Sequence, residues 1–275
     1  MQSWINGRFM ASSAATIPAA DLALNRGYGV FDYIRVISGR PIFLEDHLRR
    51  LARSAATMRL ALPVDMEELP GIIEALVRPD QRPLSGIRLT LTGGVAADGY
   101  SIGAPSLIIT HQELPPLAAD AFATGVRLLS VAHSRQLPAV KSIDYLFPIW
   151  MQPQMRGHGA TDLLYHHNGI VSECPRSNLF VVTKEGIVAT PKDGILAGIT
   201  RAKVLECARG LYPVEERSVS LADVYAAAEV FITSTTKEIL PVRAVDGREV
   251  GSGADTVSRA LHGRLSDRIT AYSAG

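Results

Sequence analysis

Hydrophobic and polar positions change rhythm several times along this chain. In the segments WINGRFM (residues 4–10) and VFDYIRVISGRPIFL (30–44), short strand-like runs are broken by Asn6-Gly7 and Ser38-Gly39, and each reads as a β-hairpin. The rhythm then shifts to a helical period. In EDHLRRLARSAATMRL the residues Leu48, Leu51, Ala55 and Met58 recur on one face, so a helix with a single apolar stripe is expected. A second helix is predicted near 65–77, followed by the strands GIRLTLTGG and SLIITHQEL. The proline-bearing stretch ELPPLAADAFATG at 113–125 has the character of a linker.

Beyond it, VRLLSVA, TDLLYHH, GIVSE, SNLFVVT and GIVATP are strand-like, with turns expected at Asn168-Gly169 and Glu185-Gly186. Helical patterns follow in TRAKVLECARGL and from about 254 to 271. Hairpins interleaved with helices predict an α+β chain of two domains: residues 1–115, a linker at 116–124, and a larger domain at 125–275. Repeats and low-complexity tracts are not visible.

Composition narrows the function classes. A net charge of +1 over 275 residues gives no electrostatic case for a nucleic-acid or membrane-surface partner. No stretch approaches the length of a membrane span, and MQSWINGRFM lacks a signal-peptide pattern, so a soluble cytoplasmic protein is expected. The two cysteines, Cys174 and Cys207, form no metal-binding spacing and read as ordinary thiols. Adjacent His166 and His167 on a strand would point to opposite faces, so no metal is expected there. His47, in the first turn of a helix, reads as structural. Only five of the 28 basic residues are lysines, which makes each one worth inspecting.

Lys141 follows an apolar run in LPAVKSIDYL, whereas Lys184 and Lys192 lie in the turns TKEG and PKDG. An amine in an apolar pocket is partly desolvated, which lowers its pKa and favours attack on an aldehyde. In GILAGITRAKVL a loop ends at Gly198 and a helix starts near Thr200, presenting backbone N–H groups and the Thr200 hydroxyl to an anion. The loop Thr233-Ser234-Thr235-Thr236 adds further hydroxyl donors. Two donor-rich loops without a Walker lysine suit a fixed phosphate monoester better than a nucleoside triphosphate. Glu173, at a strand end, could keep a pyridinium nitrogen protonated. Gly27-Tyr28-Gly29 begins like a dinucleotide fingerprint but lacks the third glycine and leads into a strand.

These segments, VFDYIRV, DHLRRL, VKSIDYL, VSECPRSNLF, GITR and TSTTKEILPV, resemble in order and spacing the class IV (fold-type IV) pyridoxal-phosphate aminotransferases. That family includes branched-chain and D-amino-acid aminotransferases and aminodeoxychorismate lyase. The resemblance implies a two-domain α+β homodimer, with its active site between domains and near the subunit interface. It implies pyridoxal 5'-phosphate as cofactor, with pyridoxamine 5'-phosphate as its half-reaction form, and amino acids and 2-oxo acids as substrates. Lys141 matches the catalytic Schiff-base lysine and Glu173 the partner of the ring nitrogen. Phosphate contacts fall on Arg50, Ile199, Thr200, Ser234 and Thr235, while Arg49 is left to solvent.

Substrate recognition departs from the common patterns. Gly86-Ile87-Arg88 stands where many bacterial branched-chain enzymes have Tyr-x-Arg, so one carboxylate contact is expected to be missing. The loop GGVAADGYSIGAPS contains neither Arg nor His, where typical D-amino-acid enzymes have Arg-x-His, and Phe31 replaces a frequent active-site tyrosine. Arg26 and Arg176 remain, and the chain is similar to a group of D-amino-acid transaminases in which an arginine from each subunit binds the α-carboxylate. The substrate-binding set implied is Arg26, Arg176, Thr236, Phe31 and Arg88. The expected activity moves the amino group of a D-amino acid, such as D-alanine or D-glutamate, to 2-oxoglutarate or pyruvate. A branched-chain L-aminotransferase and an aminodeoxychorismate lyase are the alternatives.

Overall fold

The computed structural model describes residues 1–80 and 82–274. They form two compact units. The first contains Met1–Pro116 together with Val140–Asp144 and the C-terminal residues from Ala271; the second contains Leu117–Ala139 and Tyr145–Thr270.

The first unit is built on strands β1 (Gln2–Ile5), β2 (Arg8–Ala11), β3 (Gly29–Ile37), β4 (Arg40–Pro41), β5 (Leu84–Thr92) and β6 (Leu107–Glu113). They lie in the order β2-β1-β6-β5-β3-β4, and every pairing is antiparallel. The two expected hairpins form. Asn6-Gly7 and Ser38-Gly39 both place two successive residues at positive φ (43° and 91°, 46° and 79°), the backbone that matches strand twist in a two-residue turn. Helix α1 is Leu22–Arg26, and α2 (Leu44–Thr57) and α3 (Leu69–Val77) follow.

Strand alternation gives the sheet two different faces. Val30, Ile34 and Val36 of β3 join Ile87, Leu89 and Leu91 of β5 in an apolar core with Leu48, Leu51 and Ala55 of α2 and Ile73 and Leu76 of α3. Asp32 occupies the same register as Val30 and Ile34, so it is a carboxylate on the core side, fully buried. The opposite face carries Phe31, Tyr33, Arg88 and Thr90.

The second unit contains β7 (Val126–Ala132), β8 (Asp162–His167), β9 (Ile170–Val171), β10 (Glu173–Cys174), β11 (Ser177–Val182), β12 (Val188–Pro191), β13 (Val214–Arg217), β14 (Val219–Ser220), β15 (Glu229–Ser234), β16 (Glu238–Val245) and β17 (Arg248–Glu249). Their path is β13-β12-β11-β15-β16-β7-β8-β9-β14, with β10 on β11 and β17 on β16. Leu179, Val181, Val230, Ile232, Leu240 and Val242 supply much of its core. The Asn168-Gly169 turn has the paired positive φ of the other hairpins. Among the helices, α4 (Ala121–Thr124) interrupts the stretch expected to be a plain linker, and α5 (Leu146–Trp150) and α6 (Gln152–Gly157) fall where no helix was expected. They are followed by α7 (Ile199–Ala208), α8 (Leu221–Ala226) and α9 (Thr256–Ala274).

The units depart from chain order at the lysine segment, which the sequence assigns to the C-terminal domain at 125–275. Because β4 pairs only with the far end of β3, the Gly29–Phe31 end has an open edge. Val140–Asp144 takes that edge: Phe31 N–H donates to Lys141 O (2.9 Å), Ile143 N–H donates to Gly29 O (3.1 Å), and Val30 bridges Ser142. Lys141 therefore belongs to the first unit.

Candidate active site

In the first unit the backbone of Lys141 is held on both sides, by Phe31 N–H at its carbonyl and by the Ser54 hydroxyl of α2, which accepts from its N–H (3.3 Å). Its Nζ stands 4.6 Å from the centroid of the Phe31 ring, and the Arg88 guanidinium carbon stands 4.0 Å from the same centroid. A ring face attracts cations through its quadrupole, so Phe31 organises both groups on one side of β3. Arg88 is steadied further by its Nε donating to Thr90 Oγ1 (3.3 Å).

On the other side of β3, Asp32 accepts from Arg50 at both carboxylate oxygens (2.8 and 2.7 Å) and from His47 Nδ1 (2.7 Å). A carboxylate can only accept here, so His47 carries its proton on Nδ1. Burial pushes the Asp32 carboxyl up, but the charges of Arg50 and His47 outweigh it and hold the group well below the usual carboxylate range. For His47 burial dominates, and the imidazole pKa is lowered despite Asp32. Arg50 uses Nε and one terminal nitrogen on Asp32; Nη1 has no partner among the described residues. Its neighbour Arg49 pairs with Asp46 at the surface, its side chain 63% exposed against 6% for Arg50. Helical spacing explains the contrast, since Arg50 lies one turn on from His47 on the sheet-facing side.

In the second unit Glu173 is buried, and three groups converge on it. Arg135 donates twice to Oε1 (2.9 and 2.8 Å), while Leu196 N–H (2.9 Å) and Asn178 Nδ2 (3.3 Å) donate to Oε2. Asn178 also donates to Leu196 O (2.9 Å). A Cβ built on Gly198 would meet Asn178 Oδ1 at 2.0 Å, so only glycine allows the start of α7 to approach this closely. Gly198 caps α7 without a side-chain bond, and the first helical bond runs from Ala202 to Gly198. The N–H groups of Ile199 and Thr200 thus have no acceptor inside the helix. Thr233, opposite Asn178 in register, has a buried hydroxyl with no partner among the described residues, and Ser234 and Thr235 follow directly. One side chain, Asn178, ties the buried carboxylate to the anion-accepting end of α7.

The structure thus groups Lys141, Phe31 and Arg88, with Arg50 across the strand, and separately groups Glu173 with Ile199, Thr200, Ser234 and Thr235. Arg26 lies exposed at the end of α1, bonded to Asn25 O (3.1 Å), and Arg176 is exposed in the turn between β10 and β11. Thr236 is half-buried. Sequence reasoning missed Asp32, Arg135 and Asn178; His47, read as structural, lies buried against Asp32. For Asp32 there was a signal, an acid at a core position between Val30 and Ile34; for Arg135 there was none. No group of acids, histidines and cysteines that could hold a metal occurs among the described residues, and no helix there is long and apolar enough to cross a membrane.

Residues 29–245 match the family described as amino-transferase class IV. The chain belongs to that family. A putative branched-chain-amino-acid aminotransferase from Methanocaldococcus jannaschii is 33% identical, covering 92% of this chain and 90% of its own. A D-alanine aminotransferase from Bacillus licheniformis is 32% identical, covering 92% of each. The branched-chain amino acid aminotransferase of Escherichia coli superimposes with a TM-score of 0.90 at 27% identity, over 99% of this chain and 95% of that one. The fold is therefore that of the fold-type IV aminotransferases. Similar identities to relatives of both specificities leave substrate preference to the individual side chains.

Proposed function

We propose that this aminotransferase uses pyridoxal phosphate to move the amino group of a D-amino acid to a 2-oxo acid. The observation that carries the cofactor assignment is the Asn178 link between buried Glu173 and the uncapped start of α7. A carboxylate with three donors and a helix N-terminus beside hydroxyls match a ring nitrogen and a phosphate respectively. When bound, the cofactor supplies an aldehyde that condenses with amines and a ring that accepts the electron pair of a broken Cα–H bond. Lys141 would hold the cofactor through its amine and would carry the proton taken from the substrate Cα. Glu173 would hold the ring N–H, and Ile199, Thr200, Ser234, Thr235 and Arg50 would hold the phosphate.

Arg50→Ala should weaken cofactor retention by about 1.5–3 kcal/mol, the range for a charge-assisted contact, whereas Arg49→Ala should do little. Dissociation constants measured on the folded apoproteins decide this, and equal losses would remove Arg50 from the phosphate.

Handedness rests on Arg176 and Arg26, whose planar forks can each grip both oxygens of an α-carboxylate. We take the chain to work as a homodimer cytoplasmic in location, with Arg26 reaching the partner's substrate. Covering Leu146, Ile149 and Trp150, exposed on α5, would remove apolar surface from water. Half-reaction rates with D-alanine and D-glutamate should exceed those with L-leucine, and Arg176→Ala should lower them about tenfold or more while cofactor binding persists. One observation favours the branched-chain reading: Arg88 shares the Phe31 ring with Lys141. Faster turnover of L-leucine, with Arg88→Ala more damaging than Arg176→Ala, would establish it.

A further inference from the structure

The face of the first sheet that holds Lys141, Phe31 and Arg88 continues into an arrangement the sequence did not reveal. Tyr33 stands opposite Arg88, and Gly86 is its diagonal neighbour on β5. A Cβ on Gly86 would lie 2.0 Å from Tyr33 Oη and 2.4 Å from its Cζ. The phenol therefore lies across the strand in the space that any side chain at position 86 would enter, and glycine is the residue that admits it. Tyr33 is half-buried, and no hydrogen bond to its hydroxyl occurs among the described residues, which leaves that end of the ring to water or a ligand. Burial pushes the phenol pKa up, with the Arg88 charge acting in the opposite sense, so the group keeps its proton and remains a donor at neutral pH. The space left by the absent side chain at position 86 is thus taken by a phenol from the neighbouring strand.

We propose that Tyr33 is a specificity-determining residue whose O–H, laid over Gly86 beside Arg88, receives the distal carboxylate of a dicarboxylic amino acid or 2-oxo acid. The proposal rests on the reading that Lys141 works at the substrate's α-carbon. Lys141 Nζ lies over Phe31; Tyr33 is two residues further along β3, a backbone step of about 6.6 Å, and its ring leans on over Gly86, away from Phe31. The α-carboxylate is bonded to the carbon on which Lys141 acts, so it stays near Phe31. A donor one step beyond serves the far end of the side chain. A glutamate side chain ends in a carboxylate that can accept from the phenol. The methyl groups of leucine would offer the phenol no acceptor, which is the arrangement by which a polar site rejects an apolar analogue.

Tyr33→Phe removes one oxygen and keeps the ring over Gly86, so it tests the hydroxyl alone. In holoenzyme, the ratio of half-reaction kcat/KM for D-glutamate to that for D-alanine should fall about tenfold. Binding of glutarate relative to butyrate, read from the cofactor absorption without turnover, should fall by a similar factor. Gly86→Ala, which displaces the phenol, should shift both ratios in the same direction. Equal losses for mono- and dicarboxylates, or no loss for either, would overturn the proposal. Failure of the wild-type holoenzyme to react with any amino acid would count against the transaminase reading, while the glutarate and butyrate comparison would still decide the role of Tyr33.

Discussion

Lys141→Ala protein should fail to anchor the cofactor covalently and should lose transamination altogether. The expectation rests on placement. Lys141 is bound through its own N–H and carbonyl to α2 and β3, and its Nζ lies over the Phe31 ring, which the Arg88 guanidinium also contacts. Lys237 donates to Asp162 (3.0 Å), Lys203 lies near Glu206 (3.7 Å), and Lys184 and Lys192 are exposed, so none of these four is placed over an aromatic ring on the first sheet as Lys141 is. Lys141 is the lysine whose backbone is fixed at both its N–H and its carbonyl while its Nζ lies over an aromatic ring, the kind of fixed amine that attack on an aldehyde needs. Borohydride reduction of the wild-type holoenzyme, followed by peptide mapping, should place the cofactor on the peptide that contains Lys141. Its recovery on a peptide bearing Lys184, Lys192, Lys203 or Lys237 would falsify the assignment.

Asp32→Asn should be the most destabilising single substitution near the site, costing on the order of 3–5 kcal/mol in unfolding experiments. Asp32 is fully buried, and its carboxylate accepts from Arg50 and His47 together. An asparagine keeps the shape but has one acceptor oxygen, and its NH2 would face donors, leaving the Arg50 charge buried and uncompensated. For a chain of this size the melting temperature should fall by about 10 °C. There is also a pH signature. The folded-state pKa of Asp32 lies well below its ordinary value, so its stabilisation is fully present above the usual carboxylate pKa and is lost as pH falls towards the folded value. The substituted protein should lack that part of the acid-induced loss. A cost below about 1 kcal/mol, or an unchanged slope of stability against pH in the acid range, would mean that the ion pair contributes little.

Local patterns were sufficient for much of this protein. Asn-Gly and Ser-Gly pairs specify hairpins because both residues must adopt positive φ, and the spacing of Leu48, Leu51 and Ala55 specifies the buried stripe of α2 because a helix turns in 3.6 residues. The same stripe separates Arg50 from Arg49. The lysine, the strand-end carboxylate and the donor-rich starts of helix and loop were legible for a similar reason, since each depends on residues close together in the chain. What the sequence could not supply was partnership over long separations. That Val140–Asp144 would complete the open edge of β3, that Arg135 would meet Glu173, that Asn178 would link that carboxylate to the Leu196 carbonyl while packing on Gly198, and that Tyr33 would lie over Gly86 are all set by strand register and packing. Register is chosen by the burial of whole faces, a property of the assembled sheet that no short window of residues contains.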